Sequence, residues 1–218
     1  KKKFKKFILI LGDSHSIDLF NSISKLSKKN EFIVGLNKGW CRPYTPHKMV
    51  DNCHYSNALK FIEQNENNLK MIFFTHKGSY FLTNKKNLPI SNQAEKTINY
   101  LKEIKKITNK LLFIGPHLEP NIQLNRKTLI KYFKNRNNFN DNVNYDLLKV
   151  DEILKKTSKD NNIDYLSKID VIKYNFKEDF VVDGKFTFSD TDHWSEFGEI
   201  YFGKKLVFNS IINKILFP

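Results

Sequence analysis

Short, uninterrupted apolar runs recur along this chain, and between them lie stretches with the three- and four-residue spacing of amphipathic helices. Residues 7–12 (FILILG), 32–36 (FIVGL), 70–75 (KMIFFT), 111–115 (LLFIG) and 163–166 read as strands. A strand that is apolar at every position is covered on both faces, as in parallel sheets with helices on either side. Helices are expected over residues 16–28, 55–66, 92–109 and 145–159, and from Ser195 to about Ile212. In the third of these, Ala94, Ile98, Leu101, Ile104 and Ile107 fall on one face. The Asn-rich stretch 120–143 reads as a long loop with a short helix at Leu129–Phe133, and residues 168–190 as irregular chain with a hairpin at Asp183-Gly184. No repeat or linker breaks the pattern, so one α/β domain over residues 1–218, with a five-stranded, mainly parallel sheet, is the expectation.

In such a fold ligands lie beyond the carboxyl ends of the strands. That rule gathers Gly12–Ser16, Asn37–Trp40, Thr75–Tyr80 and Gly115–His117 at one end of the sheet.

A chain of 218 residues can bury one sizeable core, and 40% apolar content argues against disorder. The excess of 37 basic over 23 acidic residues, a net charge of +14, suits an anionic partner such as an acidic glycan or a lipid surface. The lysines are scattered, however, and no aromatic-plus-basic nucleic-acid motif occurs, so nucleic acid is not an expected partner. No apolar run approaches the ~18 residues of a membrane span. The opening KKKFKK leads straight into a strand rather than a signal-peptide core. A chain that begins without Met reads as a piece of a longer protein.

Two short stretches carry chemistry-bearing residues. Ser14 follows the first strand, in GDSHS. Taken alone it is a helix N-cap or a nucleophile, the latter only with a base nearby and with helix N–H groups facing a developing oxyanion. Near the other end, Asp190 and His193 stand three apart in DTDHWSEFG. They read as a capping cluster with Asp192 and Ser195, or as an acid that orients an imidazole base. Cys41 and Cys53 lack zinc-ligand spacing, which leaves free buried thiols or a disulfide. No metal cluster or phosphate-binding glycine loop is visible, so no metal is expected.

Taken together, GDSHS after the first strand and DTDHWSEFG before the last helix resemble the first and last sequence blocks of the SGNH (GDSL-like) hydrolases and acetyltransferases. Within that family, HWSEFG, GWCRPYTP with a second Cys further on, and LLFIGPHLEP resemble the SGNH domains fused to acyltransferase-3 type membrane O-acyltransferases. The resemblance implies a three-layer, doubly wound, flavodoxin-like sandwich. It implies Ser14 as nucleophile, Asp190 as orienting acid and His193 as base. It also implies a Cys41–Cys53 disulfide and hence an extracytoplasmic, periplasmic site, tethered to the inner membrane as the C-terminal part of a longer membrane protein.

For the oxyanion the resemblance implies the Ser14 N–H and a glycine N–H after the second strand, with Gly39 the first choice and Gly35 the second. The family's third donor, an Asn after the third strand, is absent from FFTHKGSYF. His76 stands at its place, Asn84 being more remote. Asp13, Trp40 and Trp194 complete the substrate-binding candidates, the two tryptophans as stacking faces for sugar rings or, alternatively, as core residues. His15 is read as a local hydrogen-bonding residue rather than the base, and His117 as an ordinary loop residue or one that lines the cleft.

The implied activity is O-acylation, chiefly O-acetylation, of a cell-envelope polysaccharide through an acyl-serine. No cofactor is implied for this domain. The acyl donor, with acetyl-CoA the candidate, would be used by a membrane acyltransferase module, in cis or in trans. Contact of the basic surface with an anionic membrane or glycan is also implied. The rivals are an esterase with the same three residues and water as acceptor, and a non-catalytic glycan-binding module.

Overall fold

The computed structural model describes residues 6–27, 32–43, 53, 55–82, 90–122, 124–135 and 142–217. Five strands, β1 (Phe7–Gly12), β2 (Phe32–Asn37), β3 (Leu69–Thr75), β4 (Leu111–Ile114) and β5 (Tyr165–Leu166), form one sheet in the order β2-β1-β3-β4-β5. All of its pairings are parallel. β1 has a neighbour on each side and helices above and below, which is why all six of its residues are buried and why its sequence shows no alternation.

The helices are α1 (Ser14–Leu26), α2 (Tyr55–Asn65), α3 (Ser79–Leu82), α4 (Ile90–Ile107), α5 (Arg126–Lys134), α6 (Asp146–Asp160), α7 (Lys168–Ile172), α8 (Phe176–Asp179), α9 (Glu196–Val207) and α10 (Ser210–Leu216). The chain steps from β1 outward to β2, then back across β1 to β3. Right-handed crossovers in opposite directions put α1 and α2 on opposite faces of the sheet. α9 packs on α1, whereas α4 packs against α2 and α6. The result is the expected three-layer, doubly wound sandwich.

The reversal makes the crevice between β1 and β3 the switch point where ligands bind in such sheets. Gly12 is in register with Asn37 on one side and Thr75 on the other, so three strands end at one level. A Cβ at Gly12 would collide with the Thr75 carbonyl oxygen, and Ser16 Cβ would lie at 3.0 Å. Gly12→Ala is therefore expected to destabilise the fold by about 3 kcal/mol or more, because backbone rather than a flexible side chain must yield. Chemical denaturation of the variant checks this.

Three local expectations need correction. Residues 168–190 hold α7 and α8 where irregular chain is expected, while the expected hairpin is present as a two-stranded antiparallel ribbon, β6 (Val181–Val182) with β7 (Lys185–Phe186). Its turn residues Asp183 and Gly184 have φ of 51° and 73°, the values that suit a tight hairpin. The last helix breaks in two, because the Asn209 side chain accepts from Ile211 N–H and starts a new helix. β5 is short: two residues pair, although Asp164 O also accepts from Phe113 N–H. Asn84 and residues 136–141 of the Asn-rich stretch lie outside the described residues.

Candidate active site

α1 begins at the exit of β1, with Asp13 as its N-cap. Asp13 is wholly buried. Its Oδ1 accepts from His15 N–H and its Oδ2 from Lys77 N–H, both at 3.0 Å. The cap thus ties the exit of β1 to the exit of β3. Burial pushes Asp13 up to about 6, against the pull of those two N–H groups and of Arg42 and Lys168. With both oxygens committed to main chain, Asp13 braces the site and does not face a substrate. Ser14 is the first residue of α1, half-buried, and its N–H has no acceptor inside the helix.

At the other end of the chain, the segment between Ser189 and Ser195 is folded back on itself. Ser189 N–H donates to His193 O and Ser195 N–H to Thr187 O, both at 2.9 Å. Ser195 caps α9 by accepting from Gly198 N–H, so capping leaves Asp190 and Asp192 to other partners. Asp190 Oδ1 accepts from the main-chain N–H of His193 at 2.7 Å, and its Oδ2 lies 2.8 Å from His193 Nδ1. One carboxylate therefore fixes both the backbone and the ring of His193. Nδ1–H donates to Asp190, which leaves Nε2 as the basic nitrogen. Nε2 is buried and has no hydrogen-bond partner among the described residues. Burial would lower the His193 pKa; the bond to Asp190 and the charges of Asp192, Asp18 and Asp190 outweigh it and hold the ring above its usual 6.5.

Asp192 locks this segment to three strand exits. Its Oδ2 accepts from Lys77 Nζ at 2.6 Å, lies 3.2 Å from His15 Nε2, and stands 3.7 Å from His193 Nδ1. Its carbonyl oxygen lies 2.7 Å from His117 Nε2. Burial raises the Asp192 carboxyl, but the Lys77 bond and the His193 and Lys77 charges prevail and hold it below 3.8. A fourth anchor comes from α1, where Asp18 Oδ2 accepts from Trp194 N–H at 3.1 Å. Donor atoms of His15, Asp192 and His193 lie within 4.8 Å of one another. The carboxylate of this group, Asp192, already holds the Lys77 ammonium.

His15 and His117 stack with ring centroids 4.5 Å apart and planes 8° from parallel. Burial, with Lys168 among the nearby positive charges, holds both well below 6.5, so both are neutral. They are packing and anchoring rings, not bases. His15 thus adds a long-range side-chain contact with Asp192 to its local main-chain bond to Asp13, and His117, in the loop after β4, is a wholly buried prop.

Lys168 is buried beneath the same centre. Burial lowers it to about 8, while Asp18, Asp13, Glu119 and Asp151 hold it up. Asp18, Lys77 and Lys168 were not singled out as functional candidates from the sequence, and Asp192 was read there only as a capping residue. One local signal existed: Asp18 lies four residues after Ser14, on the same face of α1.

The substrate-binding candidates separate. Trp194 is 3% exposed and packs its ring on Phe202 and His117, so it is a core residue and presents no face to a sugar. Trp40 is 72% exposed. His76 is 2% exposed, with Nε2 2.7 Å from the Tyr55 hydroxyl, and burial lowers it to about 3. It is a neutral wall residue behind the exit of β3, where Lys77 rather than His76 reaches the centre. Gly39 lies in the turn after β2, where Lys38 N–H donates to Gly12 O and Cys41 N–H to Lys38 O. Gly35 lies within β2, against the Phe20 ring.

Cys41 and Cys53 form a disulfide with Cα atoms 5.4 Å apart. Closing a loop of this length stabilises the fold by about 3 kcal/mol in the chain-entropy account. Behind the exits of β1 and β2 lies a cavity of about 490 Å³, walled by Leu11, Leu36, Tyr55, Ala58 and Phe61 with Asn37 and Lys38.

The family model for the SGNH domain fused to AT3 domains matches residues 2–207. The chain belongs to that family. This SGNH domain also shares its fold with solved structures. The lipopolysaccharide acetyltransferase periplasmic domain of Salmonella ser. Paratyphi A superposes with a TM-score of 0.70 at 19% identity, covering 95% of this chain and 84% of that one. A carbohydrate acetylesterase family member from Sinorhizobium meliloti gives 0.55 at 10% identity, over 97% and 99%. The M. smegmatis aryl esterase gives 0.58 at 10%, over 97% and 100%. At these identities the likeness is one of fold. No curated protein matches the sequence. Among the described residues no helix is long and apolar enough to cross a membrane.

Proposed function

We propose that this SGNH domain is a serine-dependent O-acyltransferase, chiefly an acetyltransferase, that esterifies hydroxyls of a cell-envelope polysaccharide outside the cytoplasm. The observation that carries the reading is the Asp190–His193 pair, with Nε2 of the ring left open, anchored through His15 and Asp18 to the first turns of the helix that Ser14 begins.

In the proposed cycle Ser14 Oγ attacks the acyl carbonyl of the donor while His193 Nε2 takes the hydroxyl proton. The N–H groups of Ser14 and Gly39 receive the oxyanion. Collapse expels the donor's leaving group, which takes the proton from His193 and leaves an acyl-serine. His193 then removes the proton of an acceptor hydroxyl as its oxygen attacks the acyl carbon. The second collapse returns the proton to Ser14 and releases the new ester. Asp190 keeps the ring in one tautomer and stabilises the imidazolium of both steps. The fusion partner named by the family supports a membrane module as the source of the acyl group, and the disulfide supports an oxidising compartment.

One observation favours a second reading, an esterase with water as acceptor: the side chains of His193 and Asp190 keep 29% and 50% of their surface exposed, so solvent lies against the pair although Nε2 itself is buried. The two readings separate when the domain is given an activated acetyl ester together with an acceptor oligosaccharide. Acetylated oligosaccharide that rises with acceptor concentration at the expense of free acetate is expected. Free acetate alone at every acceptor concentration assigns the domain to the esterases.

A further inference from the structure

Trp40 stands at φ 63° while 72% of its surface faces solvent. Left-handed backbone is unfavourable for a bulky residue, and an exposed indole forgoes burial. Both persist because the next residue, Cys41, is tied by its disulfide to Cys53. The ring therefore faces outward beside a disulfide-tethered residue, the arrangement of a stacking platform.

Its neighbours are cationic and aromatic. The Trp40 ring lies 6.0 Å from that of Tyr80, in α3 beyond the exit of β3. The Arg42 guanidinium carbon lies 3.3 Å from the Tyr80 ring centroid and Lys77 Nζ 5.4 Å from it. Lys38, exposed, precedes them in the same turn. Because β1 lies between β2 and β3, a contact between the loops of those two strands stands beside the end of β1, where Ser14 is. The aromatic faces suit the apolar C–H surface of a pyranose. Lys77 is engaged by Asp192, and the Arg42 and Lys38 charges beside the rings suit a negative substituent on the sugar.

We infer that the acceptor bound beside Ser14 is an anionic glycan, a pyranoside bearing a carboxylate or a phosphate, with Trp40 as its stacking face and Arg42, with Lys38, as its charge reader. This rests on the acyltransferase reading for the word acceptor but is tested by binding alone.

Only two tryptophans are present and Trp194 is buried, so quenching of intrinsic fluorescence reports on Trp40. The probes are hexagalacturonate and its fully methyl-esterified form, which differ in charge and share the same sugar rings. At low salt the acid is expected to bind at least tenfold more tightly than the ester. Trp40→Phe should remove the quench and Trp40→Ala should weaken both probes, the latter read by calorimetry. Arg42→Gln, or Lys38→Gln should the first variant not fold, should shrink the preference for the acid severalfold and leave the ester's affinity in place. Lys106→Gln, which removes one charge from the remote α4, should change neither.

Equal affinity for the two probes overturns the inference. So does a loss of preference in Lys106→Gln as large as in Arg42→Gln, since the effect would then be one of overall charge. Turnover of a small activated ester on the same samples keeps the two proposals apart. Intact turnover without glycan preference removes only this inference, and glycan preference without turnover removes only the catalytic reading.

Discussion

Replacing His193 with alanine is expected to lower turnover of a small activated ester by about 10⁴-fold or more while leaving the fold intact. The size follows from what the ring does: without a base the Ser14 hydroxyl is a poor nucleophile, and both halves of the cycle pass through the same nitrogen. No described neighbour substitutes for it. His15 and His117 are buried and neutral, with Nε2 of each committed to Asp192. His193 is only half-buried, so its removal leaves no large cavity and the thermal midpoint should move by no more than a few degrees. Turnover within tenfold of the parent would mean that the base is another group.

Asp190→Asn is the second large effect, a loss of about 10³- to 10⁴-fold. An amide keeps the shape and can present an N–H to Nδ1, which turns the proton to Nε2 and blocks the base. The pH profile gives a second readout. His193 must be neutral to act and its pKa lies above 6.5, so turnover of the parent should rise as the pH climbs through that value. The bond to Asp190 is the largest contribution holding the pKa up. Its removal should therefore move the acid limb to lower pH. The shift should be partial, because Asp192 remains 3.7 Å from Nδ1, although Lys77 already neutralises part of its charge. An acid limb that stays in place in Asp190→Asn, with turnover unchanged, would assign the orienting role to Asp192.

The strands were legible because a sheet covered on both faces writes itself as unbroken apolar runs, and β1, buried at every position, is the clearest case. The hairpin was legible because Asp-Gly is among the few pairs that accept two successive positive φ values. The break between α9 and α10 was not, since the apolar spacing runs on across it and the decisive event is a cap at Asn209.

The same division holds at the site. Asp190 and His193 lie three residues apart and make a local pair, which short-range reading can propose. The anchors of that pair join residues that are remote in sequence: Lys77 reaches Asp192 over 115 positions and His15 reaches it over 177. No local pattern encodes such a meeting; the topology creates it by ending β1, β3 and β4 at one edge. The two tryptophans show the limit from another side. Both flank candidate site residues in the sequence. Trp194 turns into a core formed with Phe202 and His117, while Trp40 is turned outward by a left-handed backbone that only the folded loop determines.

The central claim is that Ser14 carries the acyl group. The direct measurement is acid quenching of the domain within the first turnovers of an activated acetyl ester, followed by peptide mass spectrometry. One acetyl group on the peptide containing Ser14 is expected in the parent and none in Ser14→Ala, which should also lose turnover. Ester turnover that persists in Ser14→Ala, or an acetyl group that accumulates on a different residue in the parent, would contradict the account.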